Sequence, residues 1–154
     1  MRKANAVASL FIVLLVASQT LGADMVLFKS RRFVPKAGLG ELLPAREAAG
    51  SEPIHVILQL DAIPTTEQRE TLARAQVRLL SYIPHRAWLA SLPLSEAERV
   101  AAMPEVRAVA RIEPRDKIDP SLREGGVHAC SKTGAGRARL LATSFEDADP
   151  RACT

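Results

Sequence analysis

The side chains able to do covalent or metal chemistry are few and scattered. Three histidines stand far apart at His55, His85 and His128, and the two cysteines, Cys130 and Cys153, fall near the C-terminus. Zinc sites draw on paired Cys or His at short spacing, and no such pair occurs, so no metal is expected. A Gly-x-Ser-x-Gly elbow is absent, and Cys130, two residues from His128, reads as a chance neighbour in a glycine-containing connector rather than a nucleophile and its base. Gly134-Ala135-Gly136 lacks the strand and the acidic partner of a dinucleotide site and reads as linker, so no cofactor is expected. The cysteines leave two readings open. One is a Cys130–Cys153 disulfide, which in the chain-entropy view would stabilise by about 3 kcal/mol; the other is two thiols in a loose tail.

What must position these groups is a modest globular body. At 154 residues, 47% hydrophobic and 25% charged, the chain lies outside the disordered, collagen-like and coiled-coil ranges. Arg2 and Lys3, the apolar run from Ala6 to Ala17 and the small residues up to Ala23 predict a secretory signal over residues 1–22, hence an extracellular or periplasmic destination. A bilayer span needs about 20 apolar residues, so no stable membrane anchor is expected once the signal is cleaved, an uncleaved anchor being the alternative. Asp24 stands where a lipid-bearing cysteine would follow Leu21-Gly22-Ala23, which excludes lipidation. Without Arg2 and Lys3 the 21 basic residues become 19 against 17 acidic, a net charge near +2. The basic balance is therefore no argument for nucleic acid, and the scarcity of aromatics speaks against base stacking.

Residues 23–53 mix Pro, Gly and basic residues without a period and read as an extended leader, with one strand at Met25 to Phe28. From Ile54 the pattern sharpens. His55-Val56-Ile57-Leu58-Gln59-Leu60 is a strand, and Thr65 with Gln68 three residues on caps a helix running to about Gln76. Val77 to Ile83 and Ala87 to Leu92 form a hairpin about Pro84-His85-Arg86. Ser95 and Glu98 cap a second helix that must stop near Met103, before Pro104, and Val106 to Ile112 is the fourth strand. This order predicts an α+β fold of the ferredoxin-like split βαββαβ kind, an antiparallel sheet with two helices on one face. The crossings place the first and third strands side by side and parallel, with the first and fourth also adjacent.

Alternation then sends Val56, Leu58, Leu60, Leu79, Trp88, Ala90 and Leu92 toward the helices and leaves Ile57, Gln59, Leu80, Tyr82 and Leu89 on the uncovered face. That face is too apolar for simple solvation. Either it binds a partner, or the leader or tail covers it, or the register is off by one.

Residues 54 to about 122 resemble the N-terminal propeptide-inhibitor domain of bacterial subtilisin-like serine proteases. The likeness is carried by His55-Val56-Ile57-Leu58-Gln59-Leu60, the helix through Ala75, Val77-Arg78-Leu79-Leu80-Ser81-Tyr82-Ile83-Pro84, and Val106 through Pro114, with Arg31-Arg32-Phe33-Val34-Pro35 upstream. The resemblance implies a noncatalytic inhibitor and folding assistant for a subtilisin-like catalytic domain, acting in cis in a precursor or in trans. It implies that Ile57, Leu80, Tyr82 and Leu89 dock on the protease, with Tyr82 as anchor. It further implies that Arg115, Asp116, Lys117, Ile118 and Asp119 lie extended along the active-site cleft.

The protease itself is missing. That family marks its triad with Asp-Thr-Gly, His-Gly and Gly-Thr-Ser; here no histidine precedes glycine, and Thr143-Ser144 follows Ala142, so no enzyme activity is expected. Residues 119–136 read as a glycine-containing linker. Residues 137–154 read as the start of a truncated second strand-helix unit, or as an extra edge strand on the first sheet. The competing function is a secreted interaction or structural module with no protease partner.

Overall fold

The computed structural model describes residues 25–39, 53–134 and 136–148. The expected signal over residues 1–22, residues 23–24 and 40–52 of the leader, and Cys153 lie outside the described residues. A short hairpin of β1 (Val26–Leu27) and β2 (Arg32–Phe33) precedes the main body. The body runs β3 (Ile54–Leu60), α1 (Thr66–Arg74), β4 (Arg78–Ile83), β5 (Ala87–Leu92), α2 (Ala97–Ala101) and β6 (Val106–Arg111). α3 (Pro120–Gly125) and a second small hairpin, β7 (Lys132–Thr133) with β8 (Arg137–Ala138), follow. The fold is mixed α+β, and its four-stranded sheet has the order β4-β5-β3-β6 with every neighbouring pair antiparallel.

The first and third strands of that sheet, β3 and β5, are neighbours as expected but antiparallel rather than parallel. The reason lies in the connections. The α1 crossover returns β4 in the direction of β3, and the tight turn at His85 and Arg86, both with φ near +60° (68° and 61°), then reverses β5.

Each end of α1 is fixed by its own residues. Gln68 N–H donates to Thr65 Oγ1 at 3.3 Å and Thr65 N–H donates to Gln68 Oε1 at 2.9 Å, which satisfies two donors that the first turn leaves without helical partners. At the other end Gln76 adopts φ 57°, its N–H returns to the Ala73 carbonyl, and the Val77 N–H returns to that of Leu72. This is a Schellman closure, and it brings Leu72 and Val77 together in the core. The second helix departs from expectation. Ser95 does not cap it: a 3-10 turn, Leu94–Glu96, forms directly after Pro93, so α2 begins at Ala97 with no side-chain cap.

The helix-side core joins Val56, Leu58 and Leu60 of β3, Trp88, Ala90 and Leu92 of β5, Leu72 of α1, and Ala97 and Val100 of α2. Each large side chain fully buried there contributes about 1.5–3 kcal/mol of transfer free energy before entropy is counted. Tyr82 belongs to this side as well, which corrects its expected placement. Leu79 pairs with Ala90 but Ser81 pairs with Leu89, so β4 carries one extra residue, Leu80. Beyond this bulge the alternation inverts, and Tyr82 sits opposite Trp88 with ring centroids 5.1 Å apart, edge to face.

The second sheet face is covered rather than open. Ile57 and Val26 are both 0% exposed, and they cluster with Ile83, Ala87 and Ile112 beneath Phe28, Phe33 and Phe145. The leader hairpin and the tail together close this face. The leader also reaches the β6 edge, where Gly38, at φ +78°, donates to the Arg107 carbonyl and accepts from the Val109 N–H.

The strained end of α1 supports a simple prediction. Gln76→Gly should stabilise the protein by about 1 kcal/mol, because glycine adopts the left-handed conformation without a Cβ penalty. Chemical denaturation measures this, and a destabilisation of similar size would show that the Gln76 side chain makes a compensating contact.

Candidate functional site

The covered face is where polar chemistry is concentrated, and two clamps hold its cover. The first centres on Asp116, whose side chain is 0% exposed. Arg31 donates to it in a fork, from Nε at 3.0 Å and Nη2 at 2.8 Å, and the Ser30 hydroxyl donates at 2.6 Å. The Glu113 N–H donates at 2.9 Å, and a second arm of Arg31 pairs with the Glu113 carboxylate. The guanidinium also lies 3.9 Å over the Phe33 ring. Burial opposes the charge of Asp116, but the hydrogen bonds from Arg31, Ser30 and Glu113 outweigh it and hold the carboxyl below the usual range. Nearby, Lys29 reaches Asp119 at 3.3 Å.

The second clamp holds the tail. The Phe145 ring stacks on His55 with centroids 4.0 Å apart and planes 13° from parallel, and Asp147 Oδ1 lies 2.7 Å from His55 Nε2. Burial disfavours the Asp147 carboxylate, yet its bonds from His55 and the Ser91 hydroxyl keep it below the ordinary range. His55 and Ser91 are cross-strand partners on β3 and β5, so the sheet register itself brings them together. The three residue types of a hydrolase triad thus meet in a different order. Acyl transfer needs carboxylate, imidazole, hydroxyl; here the carboxylate stands in the middle, and Ser91, 2% exposed, bonds it and not the imidazole.

Between the clamps lies a cleft of about 420 Å³, with Phe28, Leu80, Leu89, Ile112 and Phe145 as its apolar lining and Lys117 and Glu146 among its polar residues. Of the residues expected to form a docking face, Leu80 and Leu89 share this cleft, Ile57 is sealed beneath the cover, and Tyr82 stands on the opposite face, 55% exposed. The expected cleft-binding segment is not extended in this structure. Pro114–Lys117 is a 3-10 turn because the Asp116 carboxylate captures the N–H of Glu113, while Asp119 accepts from the Ser121 hydroxyl and N–H and so caps α3. Residues 120–125 of the expected linker are therefore helical, and Arg115, Lys117 and Ile118 face solvent.

Of the tail expected over residues 137–154, residues 149–154 lie outside the described residues. Arg137–Ala138 pairs with Lys132–Thr133 instead of the main sheet, and residues 139–148 hold no helix. Cys130 is exposed with Sγ 3.1 Å from His128 Nδ1, and its expected partner Cys153 lies outside the described residues. Among the described residues no group of three or more His, Cys, Asp or Glu could hold a metal ion, and no helix is long and apolar enough to cross a membrane. Sequence reasoning missed the roles of His55, Arg31 and Asp147. The residues that meet are 85 or more apart in sequence, and no local pattern marks their meeting.

Two outcomes follow from the clamps. Arg31→Met should destabilise the protein by about 3 kcal/mol, since it strands a buried carboxylate, while adding Asp116→Leu should recover most of that loss. Denaturation of the single and double variants tests this, and equal losses in both would show that packing of the Arg31 stem dominates. The second outcome concerns acid. Asp116, Asp119 and Asp147 are all depressed below 3.8 in the folded state, so their contribution is complete above that value and is lost as pH falls through the lower folded values. Hydrogen-exchange protection of residues 26–33, corrected for intrinsic rate, should stay level from about pH 7 to about 5 and drop below about pH 4. Full protection persisting at about pH 2 would mean that apolar contacts alone hold the cover.

No curated protein and no solved structure matches the chain significantly. One family model matches residues 27–113, from the leader hairpin to the end of the sheet and more than half of the chain. The chain belongs to that family, the domain of unknown function DUF8729.

Proposed function

We propose that the chain is a noncatalytic, propeptide-like module of a secreted subtilisin-like protease, an inhibitor and folding assistant of the catalytic domain in cis or in trans. The observation that carries this reading is the topology. The succession strand, helix, strand, strand, helix, strand, with sheet order second, third, first, fourth, is what we read as the ferredoxin-like split βαββαβ fold. That is the fold the resemblance over residues 54–122 implies. The reading places the protease contact at the strip of the second face left between leader and tail, where Leu80 and Leu89 line the cleft. It assigns the substrate-like role to Arg115 through Asp119, a segment that must leave its 3-10 turn to lie extended in a protease cleft. Ile118, 46% exposed, is its apolar residue.

One observation favours a second reading, a secreted interaction or structural module with no protease partner. The second face is already closed in cis by Val26, Phe28, Phe33 and Phe145, so it needs no partner to be buried.

An inhibition assay separates the two. The folded chain exported without its signal should slow hydrolysis of a fluorogenic peptide by a subtilisin-like catalytic domain. Ile118→Asp should weaken inhibition about tenfold, equivalent to about 1.4 kcal/mol, with circular dichroism unchanged. Absence of inhibition at micromolar concentrations of folded chain would favour the second reading.

A further inference from the structure

The tail is held to the sheet in the manner of a bound peptide. Among the described residues its backbone makes no hydrogen bond to β3 or β5; the bonds it makes are Arg139 N–H to the Ser131 carbonyl and Ala148 N–H to the Phe145 carbonyl, both outside the sheet. Leu140 and Leu141, 63% and 92% exposed, lie outside both buried clusters of the sheet. What fixes the tail is a pair of side chains two residues apart: the Phe145 ring on His55, and the Asp147 carboxylate on His55 and Ser91. These residues also lie beyond the matched family region, which ends at residue 113, whereas His55, Leu89 and Ser91 lie within it. The receiving residues thus lie inside the matched region and the occupant lies outside it.

We infer that the strip of the second sheet face formed by His55, Leu89 and Ser91 is a binding site for a turn-forming peptide segment carrying an aromatic side chain two residues before a carboxylate, and that Phe145-Glu146-Asp147, in the turn closed by the Ala148 N–H on the Phe145 carbonyl, fills it in cis. The chemistry of the occupant dictates that of the partner. The imidazole face takes a planar ring, and its Nε2, with the Ser91 hydroxyl, takes an anion. The cleft alongside, about 420 Å³ and lined in part by Thr143 and Ser144, has room for a side chain N-terminal to the aromatic residue. Lys117, also lining that cleft, offsets the charge of an acidic segment. A tethered occupant competes at an effective concentration on the order of millimolar, so a free peptide gains access once the tail is weakened or its own affinity exceeds that level.

The test uses the full chain and a peptide of its own sequence, residues 143–148 with capped ends. In NMR titrations the double variant Phe145→Ala with Asp147→Asn should bind this peptide with shifts at His55, Leu89 and Ser91, and the parent chain should bind it at least about tenfold more weakly. A peptide with alanine at the aromatic position should bind the double variant at least about tenfold more weakly, and adding His55→Ala should remove binding. The single variant Asp147→Asn, which keeps the aromatic packing, should bind at an intermediate level and serves if the double variant loses its dispersed spectrum. Equal binding by parent and variants, shifts elsewhere on the surface, or no binding at millimolar peptide would overturn the inference. No protease enters the measurement, so its failure and that of the inhibitor reading are separate results.

Discussion

The contact between Arg31 and Asp116 governs the second face of this protein. A carboxylate with no exposed surface is tolerable only when cations and donors surround it, and Asp116 receives a forked guanidinium, a hydroxyl and a backbone N–H. The same pair does two further things. It pins the leader hairpin over Ile57 and Ile112, and it folds residues 114–117 into a turn that a cleft-binding segment would otherwise leave extended. Any role for residues 115–119 in a protease cleft therefore requires this pair to open, so docking and the closure of the face are in competition.

The helix side of the sheet has no such polar centre. Its core is made of Val, Leu, Ala and Trp, with the capped and Schellman-closed α1 across it. The asymmetry between the faces follows from chain order: one is filled by elements between the strands, the other by segments before and after them. Segments of the second kind are tied down by few contacts, which is why the clamps at Asp116 and His55 matter there.

Local structure was legible in the sequence wherever a short-range physical rule acted. The strands β3, β4, β5 and β6, the Thr65–Gln68 cap and the helix-facing set Val56, Leu58, Leu60, Trp88, Ala90 and Leu92 follow from alternation and capping chemistry within a few residues. The misses have equally specific causes. Tyr82 changed face because the extra residue Leu80 in β4 leaves no mark on the hydrophobic pattern. The parallel pairing of the first and third strands failed because it overlooked the reversal at His85 and Arg86. The site was the least legible part. Arg31 with Asp116 and His55 with Asp147 are charged residues far apart in the chain, and any exposed pair of such residues would look the same in sequence.

The most direct measurement of the central claim, that this is a propeptide-like module contacting a protease through its second face, is hydrogen-exchange mapping of the folded chain mixed with a subtilisin-like catalytic domain. The account predicts added protection on β4 and β5 around Leu80 and Leu89 and along residues 115–119, with α1 and α2 unaffected. Protection confined to the two helices, or none anywhere at saturating protease, would contradict it.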